Sequence, residues 1–111
     1  VLVVDDEAAL CELSAIWLAS IGCKVTIAHS AAEALEYLEK KRYAILFTDI
    51  VMPGGMDGVE LAKKALLLQT HLKVLITSGY ADRLHEDKEL PGELISKPYR
   101  KMDLINAISR L

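Results

Sequence analysis

The chain has 111 residues, of which 52% are hydrophobic and only 5% aromatic, and its formal net charge is -3. This length predicts one domain with an aliphatic core, and no apolar run approaches the ~20 residues of a membrane span. The lack of a basic stripe argues against nucleic-acid binding by this domain, and the composition predicts no membrane contact.

Two features of the sequence bear on its cellular setting. The first residues already form a predicted strand, so no signal peptide is visible. Cys11 and Cys23 lack metal-ligand spacing and do not form a disulfide framework. The sequence therefore predicts a reduced, cytoplasmic setting in which both cysteines are ordinary small apolar residues.

The first quarter of the chain alternates short strands with a helix. Residues 1–4 and 25–28 are apolar runs typical of buried strands. Between them, helical spacing predicts the buried stripe of a first helix: Leu10, Leu13, Trp17, Leu18 and Ile21. Asp6 is placed to cap this helix, and Gly22 is placed to end it.

The rest of the chain repeats this alternation. Ser30 and Glu33 form the S-x-x-E capping-box pattern at the start of a second helix. Further strands are predicted at residues 44–48, 73–77 and 93–96, and a third helix at residues 59–69. A last helix is predicted to be buried through Leu104, Ile105, Ile108 and Leu111. The segment 81–92 is the least regular, because its helix-compatible start leads into a charged run and a Pro-Gly turn.

The alternation of strands and helices predicts the fold class. It indicates a doubly wound α/β fold of (βα)5 type, with right-handed crossovers and helices on both faces of a five-stranded parallel sheet. We expect the flavodoxin-like strand order 2-1-3-4-5, whose switch point lies between the first and third strands. Ligands of such sheets bind at the carboxyl ends of the strands, next to this point.

Three carboxylates are predicted to meet there. The apolar third strand stops on Asp49, and the first strand is followed by Asp5 and Asp6. Because three carboxylates at one sheet edge repel each other, a hard divalent cation is the natural partner. Mg²⁺ prefers oxygen ligands. We expect Asp5, Asp6, Asp49 and a loop carbonyl such as that of Val51 to hold it.

Two further side chains complete the predicted site. Lys97 follows the last strand, and its ammonium could pair with Asp49 or with a phosphoryl oxygen. Ser78 offers a hydrogen-bond donor to the same oxygen. An exposed aspartate beside a metal ion and a lysine is a candidate nucleophile towards phosphorus. The Lys97–Pro98 peptide in this turn is a candidate for the cis form.

Each of these features has an ordinary structural interpretation when it is taken alone. Asp57 and Gly58 suit a helix cap and a turn better than chemistry, and Thr77 suits the interior of a strand. A lysine before proline is usually a surface residue. The combination at four strand ends is what favours a functional site.

The combined motifs resemble the receiver domain of two-component response regulators. The matching segments are residues 3–7 (VVDDE), 48–53 (TDIVMP), 56–58 (MDG), 78–80 (SGY) and 97–99 (KPY). The resemblance extends over essentially the whole chain, residues 1–111, as one receiver domain. It implies a phosphorelay function, and a homodimer is a further expectation.

The resemblance also implies a role for each site residue. Asp49 would accept a phosphoryl group from a sensor histidine kinase or a histidine phosphotransfer protein, in a Mg²⁺-dependent reaction that turns over no free substrate. Asp5 and Asp6 would bind Mg²⁺, and Lys97 would contact the phosphoryl group. Ser78 matches the switch hydroxyl because it directly precedes a small residue, Gly79.

Three departures from the family pattern affect the expected switch surface. Gly54 and Gly55 make the loop after Asp49 one residue longer than in many receivers, a form that resembles the receivers of hybrid sensor kinases. Leu94 stands three residues before Lys97, where the family often has an aromatic residue. The stretch between Ser78 and Lys97 is also short, which weakens the predicted fourth helix.

Two alternative functions are considered beside the receiver. A small aspartyl-nucleophile phosphohydrolase would carry a D-x-D pattern, whereas Asp49 is followed by Ile50 and Val51. A receiver-like interaction module that never accepts phosphate usually lacks a site residue, and none is missing here.

Two expectations concern the partner and the lifetime of the phosphorylated form. Ile16 is expected to be exposed on the first helix, either as a scattered surface residue or as a contact for a partner helix. In receivers, the side chains two residues after the acceptor and two after the switch hydroxyl govern the hydrolytic water. Here these are Val51 and Tyr80, which predict slow self-dephosphorylation.

Overall fold

The computed structural model of the chain describes residues 1–52, 54–79 and 90–111. The strands are β1 (Leu2–Val4), β2 (Thr26–Ala28), β3 (Ile45–Asp49), β4 (Lys73–Ser78) and β5 (Glu93–Ser96). The helices are α1 (Ala8–Ala19), α2 (Ala31–Lys40), α3 (Gly58–Leu68) and α4 (Lys101–Ser109).

The sheet has the predicted topology. All pairs are parallel and the order is β2-β1-β3-β4-β5, so the doubly wound α/β fold is confirmed. The irregular segment predicted at residues 81–92 falls mostly outside the described residues. The prediction of a fourth helix of the (βα)5 pattern in this segment therefore also falls outside the described residues.

The core occupies both faces of the sheet. Side chains alternate along each buried strand, so Leu46 packs on the face covered by α2 and α3 while Phe47 packs on the face covered by α1 and α4. Among the described residues, the buried hydrophobic side chains of both layers are aliphatic or small apart from Tyr43, Phe47, Met52 and Tyr99, as the low aromatic content predicts.

The sequence prediction of the buried stripe of α1 is partly wrong. Leu13 and Ile21 are exposed, at 42% and 45%, whereas Cys11, Ser14 and Leu18 are buried. The helix is apolar on most sides, so hydrophobic spacing could not choose between neighbouring faces. The structure turns the face with the smaller side chains, Cys11 and Ser14, towards the sheet.

The predicted caps have mixed outcomes. Asp6 does not cap α1, because the N-cap is Glu7 and the Glu7 N–H donates instead to Asp5 Oδ1, at 3.0 Å. Ser30 does cap α2 by accepting the Glu33 N–H at 3.2 Å, but the Glu33 carboxylate accepts from His29 and not from Ser30. The capping box is therefore only half formed.

Glycine and aspartate shape two other helix ends. Helix α1 ends at Ala19, earlier than predicted, and Gly22 lies beyond it with a φ of +90°. Asp57 caps α3 as predicted, since its carboxylate accepts the Glu60 N–H at 2.8 Å.

In the part of the chain that the structure describes, no helix is both long and apolar enough to cross a bilayer.

Candidate phosphoacceptor and metal site

The three predicted carboxylates meet at the carboxyl edge of the sheet. Asp5 follows β1 and Asp49 ends β3, and one oxygen from each of Asp5, Asp6 and Asp49 lies within 4.8 Å of the others. Asp6 is exposed, but Asp5 and Asp49 are only 3% and 5% exposed. The expectation of an exposed Asp49 is therefore wrong, because β3 lies between two neighbouring strands and Lys97 lies against the carboxylate.

Lys97 connects two of these carboxylates. Its ammonium Nζ donates to Asp49 Oδ2 at 2.9 Å and to Asp5 Oδ2 at 3.2 Å. Glu7 Oε1 lies further away, 3.8 Å from the same nitrogen. The Lys97 N–H donates to the Ser78 carbonyl at 2.7 Å, and the Lys97–Pro98 peptide is cis, as the sequence suggested. The end of β4 thus holds the lysine over the site.

The charges of the site shift the pKa values of its groups. Burial raises the pKa of the Asp5 carboxyl, and the Glu7 N–H and the Lys97 ammonium only partly offset this effect. Burial alone would lower the pKa of Lys97, but the hydrogen bond and charge of Asp49, together with Asp5, raise it above its ordinary value. Lys97 is therefore a permanent cation at this edge.

The donor set fits a hard divalent cation. Carboxylate oxygens are the ligands that Mg²⁺ prefers, and octahedral coordination at ~2.1 Å separates neighbouring ligand oxygens by roughly 3 Å and opposite ones by roughly 4 Å. The observed spread of oxygens within 4.8 Å admits this arrangement after small adjustments. Because Asp6 is exposed, one side of the cluster faces solvent and leaves room for water ligands.

An open cleft of about 310 Å³ gives access to the cluster. Its lining residues are Asp6, Glu7, Asp49, Val51, Gly79 and Lys97. Val51 is 54% exposed and lines this cleft, on the loop after β3 where the fourth protein ligand is expected. A larger cavity of about 470 Å³ lies between the ends of α2 and α3, but its lining includes the basic residues Lys40, Lys41 and Arg42 and none of the clustered acids.

Two hydroxyl residues end β4 beside the acceptor strand. Thr77 pairs with Asp49 in the register and is 2% exposed, so its predicted place inside the strand is confirmed. Among the described residues, Thr77 Oγ1 has no hydrogen-bond partner. Ser78 is 4% exposed at the same carboxyl edge of the sheet. Tyr80, expected to influence hydrolysis, lies outside the described residues.

Gly58 supports Asp49 in a way that the sequence did not reveal. Its N–H donates to the Ile50 carbonyl at 2.7 Å, and a Cβ added at Gly58 would overlap the carbonyl of Asp49. Glycine here allows α3 to begin directly against the end of β3. The sequence predicts only a cap and a turn for the Asp57-Gly58 pair, and it does not predict this close approach.

Helix α1 contributes contacts that the sequence also did not reveal. Cys11 Sγ donates to the Asp5 carbonyl at 3.2 Å, and one turn later Ser14 Oγ lies 2.7 Å from the Tyr99 hydroxyl. His29 Nδ1 lies 3.3 Å from the same Asp5 carbonyl. Polar residues inside an apolar stripe were the available signal, since Ser14 interrupts an otherwise aliphatic helix face.

Comparisons with known proteins agree with this geometry. Residues 1–109 match the family model of the response regulator receiver domain. The response regulator receiver protein CpdR of Brucella abortus is 33% identical, with all of this chain and 94% of that protein aligned. Sporulation initiation phosphotransferase F of Bacillus subtilis is 28% identical over 99% of this chain and 90% of its own.

Solved structures agree as well. A response regulator receiver protein from Sinorhizobium medicae superposes with a TM-score of 0.89 and 29% identity, covering 98% of this chain and 90% of that one. In this chain the parallel sheet of order 2-1-3-4-5 carries its acidic cluster at the switch point, where ligands of such sheets bind. The chain belongs to the response regulator receiver family, and its function is that of a phosphoacceptor domain in two-component signalling.

Proposed function

We propose that Asp49 is the phosphoacceptor of this receiver. The observation that carries the proposal is the position of its carboxylate, which ends the central strand, lies 2.9 Å from the Lys97 ammonium and belongs to the cluster with Asp5 and Asp6. Asp5 is a weaker candidate, because Asp49 lines the open cleft that gives access to the cluster and Asp5 does not.

The proposed reaction transfers a phosphoryl group from a phosphohistidine donor. An Asp49 carboxylate oxygen attacks phosphorus, and the new O–P bond forms as the donor N–P bond breaks. The electron pair of the broken bond stays on the imidazole nitrogen, which leaves as neutral imidazole when the other ring nitrogen carries a proton. Lys97 pairs with the charge that collects on the phosphoryl oxygens, and the Ser78 hydroxyl donates to one of them.

Asp5, Asp6, Asp49 and the Val51 carbonyl are the proposed ligands of Mg²⁺. When bound, the ion supplies positive charge that stabilises the phosphoryl oxygens of the transition state. The three side chains support this assignment through their oxygen donors and their mutual distances. The exposure of Val51 at the cleft supports a role for its backbone.

A histidine kinase or a histidine phosphotransfer protein is the proposed partner class. Receiver domains as a family accept phosphate from such proteins, and Ile16, at 65% exposure on α1, is the proposed apolar contact. The chain would then act on itself and turn over no free substrate. A homodimer and a cytoplasmic location stay predictions from the sequence.

One experiment separates this function from its alternatives. We expect incubation with acetyl phosphate and Mg²⁺ to add one phosphoryl mass to the intact protein, and Asp49→Asn to abolish it. Asp57→Asn changes an acid in the cap of α3, outside the cluster, and should leave labelling intact. Stoichiometric labelling of Asp49→Asn would overturn the assignment of the acceptor.

The same incubation tests the two alternatives. A phosphohydrolase would release inorganic phosphate from a generic ester such as p-nitrophenyl phosphate at many turnovers per protein. An interaction module would gain no mass under any of these conditions. We expect neither result, since Asp49 has the lysine and the acidic neighbours that a phosphoacceptor needs.

A further inference from the structure

A buried hydrogen bond joins α1 to the loop that carries Lys97. Ser14 Oγ and the Tyr99 hydroxyl are 2.7 Å apart, and the two residues are 0% and 8% exposed. Tyr99 is two residues after Lys97, and 85 positions separate it from Ser14 along the chain. The contact is therefore a long-range tether in the core beneath the site.

The ring of Tyr99 is fixed on two further sides. It meets Phe47 edge-on at a centroid distance of 5.7 Å, and it meets Trp17 edge-on at 6.3 Å. Phe47 belongs to β3, two residues before Asp49, so the same ring also contacts the strand that carries the acceptor. Such edge-to-face pairs restrict the orientation of a ring beyond simple burial.

Helix α1 contacts residues on both sides of the Lys97–Asp5 ion pair. One turn before Ser14, the Cys11 thiol donates to the carbonyl of Asp5, whose side chain accepts from Lys97. Within one turn, α1 therefore contacts the backbone on one side of the Lys97–Asp5 pair and Tyr99 on the other. A shift of this turn would change the position of the ammonium relative to Asp49.

We propose that the Ser14–Tyr99 hydrogen bond positions Lys97 against Asp49, so that both residues set the rate of phosphoryl transfer without touching the phosphoryl group. The proposal rests on the proposed roles of Asp49 and Lys97. Ser14 and Tyr99 are positioning residues. Their hydroxyls are the parts that matter, because the aromatic packing of Tyr99 persists when its hydroxyl is removed.

The test compares Tyr99→Phe, Ser14→Ala and the double variant with the parent. We expect each single change to lower the maximal rate constant of labelling by acetyl phosphate about tenfold, since small misplacements of a reacting group have effects of this size. The double variant should be no slower than the slower single variant, because both changes remove the same bond. The affinity for Mg²⁺, measured separately by titration, should not change.

Three controls separate positioning from general loss of stability. Tyr43→Phe removes another tyrosyl hydroxyl bond, to Thr26 at 3.4 Å on the opposite edge of the sheet, and should keep the parent rate. Ser14→Thr retains a hydroxyl and should restore the rate. Fluorescence of Trp17, the single tryptophan of the chain, should remain that of the parent in Tyr99→Phe if the aromatic packing is kept.

The outcomes distinguish this inference from the proposed function. If the parent gains no phosphoryl mass, or if Asp49→Asn gains it, the proposed function fails and the positioning role fails with it. If the parent is labelled on Asp49 but Tyr99→Phe reacts at the parent rate, only the positioning role fails. Equal slowing of Tyr43→Phe, or additive losses in the double variant, would also overturn the positioning role.

Discussion

At the scale of single residues, Gly58 lies directly against the backbone of Asp49. The first residue of α3 lies against the Asp49 carbonyl, and the space for a Cβ is already taken by that group. The Gly58 N–H bond to the Ile50 carbonyl fixes the same approach. Any side chain at this position would have to move the end of β3 or the start of α3.

Gly58→Ala should therefore destabilise the fold by roughly 1–3 kcal/mol, the usual cost of overpacking a close contact. Alanine is otherwise favoured over glycine within a helix by about 0.5–1 kcal/mol, so an open site would give the opposite sign. Urea unfolding measures the difference, with Lys64→Ala on the exposed side of α3 as the control. A Gly58→Ala protein as stable as the parent would contradict the close approach.

Val51 lines the cleft together with the proposed acceptor, Asp49. Its exposed methyl groups cannot orient a water molecule for attack on an aspartyl phosphate. A polar orienting group typically contributes ~10²-fold to such a step. We therefore expect slow self-dephosphorylation, and we expect the Val51→Asn, Tyr80→Glu double variant to decay about tenfold faster or more.

Decay of the phosphoryl mass after removal of the donor measures this rate. Val51→Leu with Tyr80→Phe keeps both positions without carboxylate or amide groups and serves as the matched control, which should decay like the parent. A polar double variant that decays no faster would mean that these positions do not control the water.

At the scale of elements, α1 serves two surfaces at once. Its buried face contacts the backbone and the loop of the site through Cys11 and Ser14, while Ile16 is 65% exposed on another face. Helix α1 is apolar on more than one face, and the core covers only one of them. The exposed apolar side chains, such as Ile16, are accessible to a partner protein.

Ile16→Glu should slow phosphotransfer from a cognate histidine donor, because an apolar docking contact would be replaced by a charge. Labelling by acetyl phosphate needs no docking and should stay at the parent rate. Leu67→Glu is the matched control, since Leu67 is 84% exposed on α3, across the sheet from α1. Unchanged transfer from the cognate donor in Ile16→Glu would remove the docking proposal.

The faces of helices were harder to predict than the order of strands. The positions of the strands followed from short apolar runs that end in polar residues, a local pattern that β3 and Asp49 display clearly, and their order followed from the alternation of strands and helices. The face of α1 could not be found in this way, because Leu13 and Leu18 are equally apolar and only the packed structure places the first outside. Ser14 is buried and pairs with Tyr99, a partner 85 positions away that no local pattern identifies.

At the scale of the whole molecule, the site is assembled from segments far apart in the chain. Asp5, Asp49 and Lys97 come from the ends of three strands, and their meeting follows from the topology alone. For this reason the residues of the site could be chosen from the sequence. The burial of Asp49 could not, because it depends on the final position of Lys97 and the neighbouring strands.

The acidic cluster also links the stability of the whole fold to metal binding. Lys97 compensates Asp49 and Asp5, so the exposed Asp6 adds a further negative charge that no ion pair between described residues offsets. Asp6→Ala should therefore raise the melting temperature of the metal-free protein, while it removes a proposed ligand and abolishes labelling by acetyl phosphate. Glu60→Ala, an exposed acid in the first turn of α3, is the matched control.

Mg²⁺ should stabilise the parent by mass action, because it binds the assembled cluster and not the unfolded chain. At ten times the dissociation constant the gain is about 1.4 kcal/mol, which corresponds to a rise in melting temperature of about 5 °C for a domain of this size. Thermal unfolding in EDTA and in a series of millimolar Mg²⁺ concentrations measures the rise. Asp6→Ala should lose most of this response, whereas Glu60→Ala should retain it. A parent protein whose melting temperature does not move with Mg²⁺ would contradict the proposed metal site, whatever the outcome of the labelling experiments.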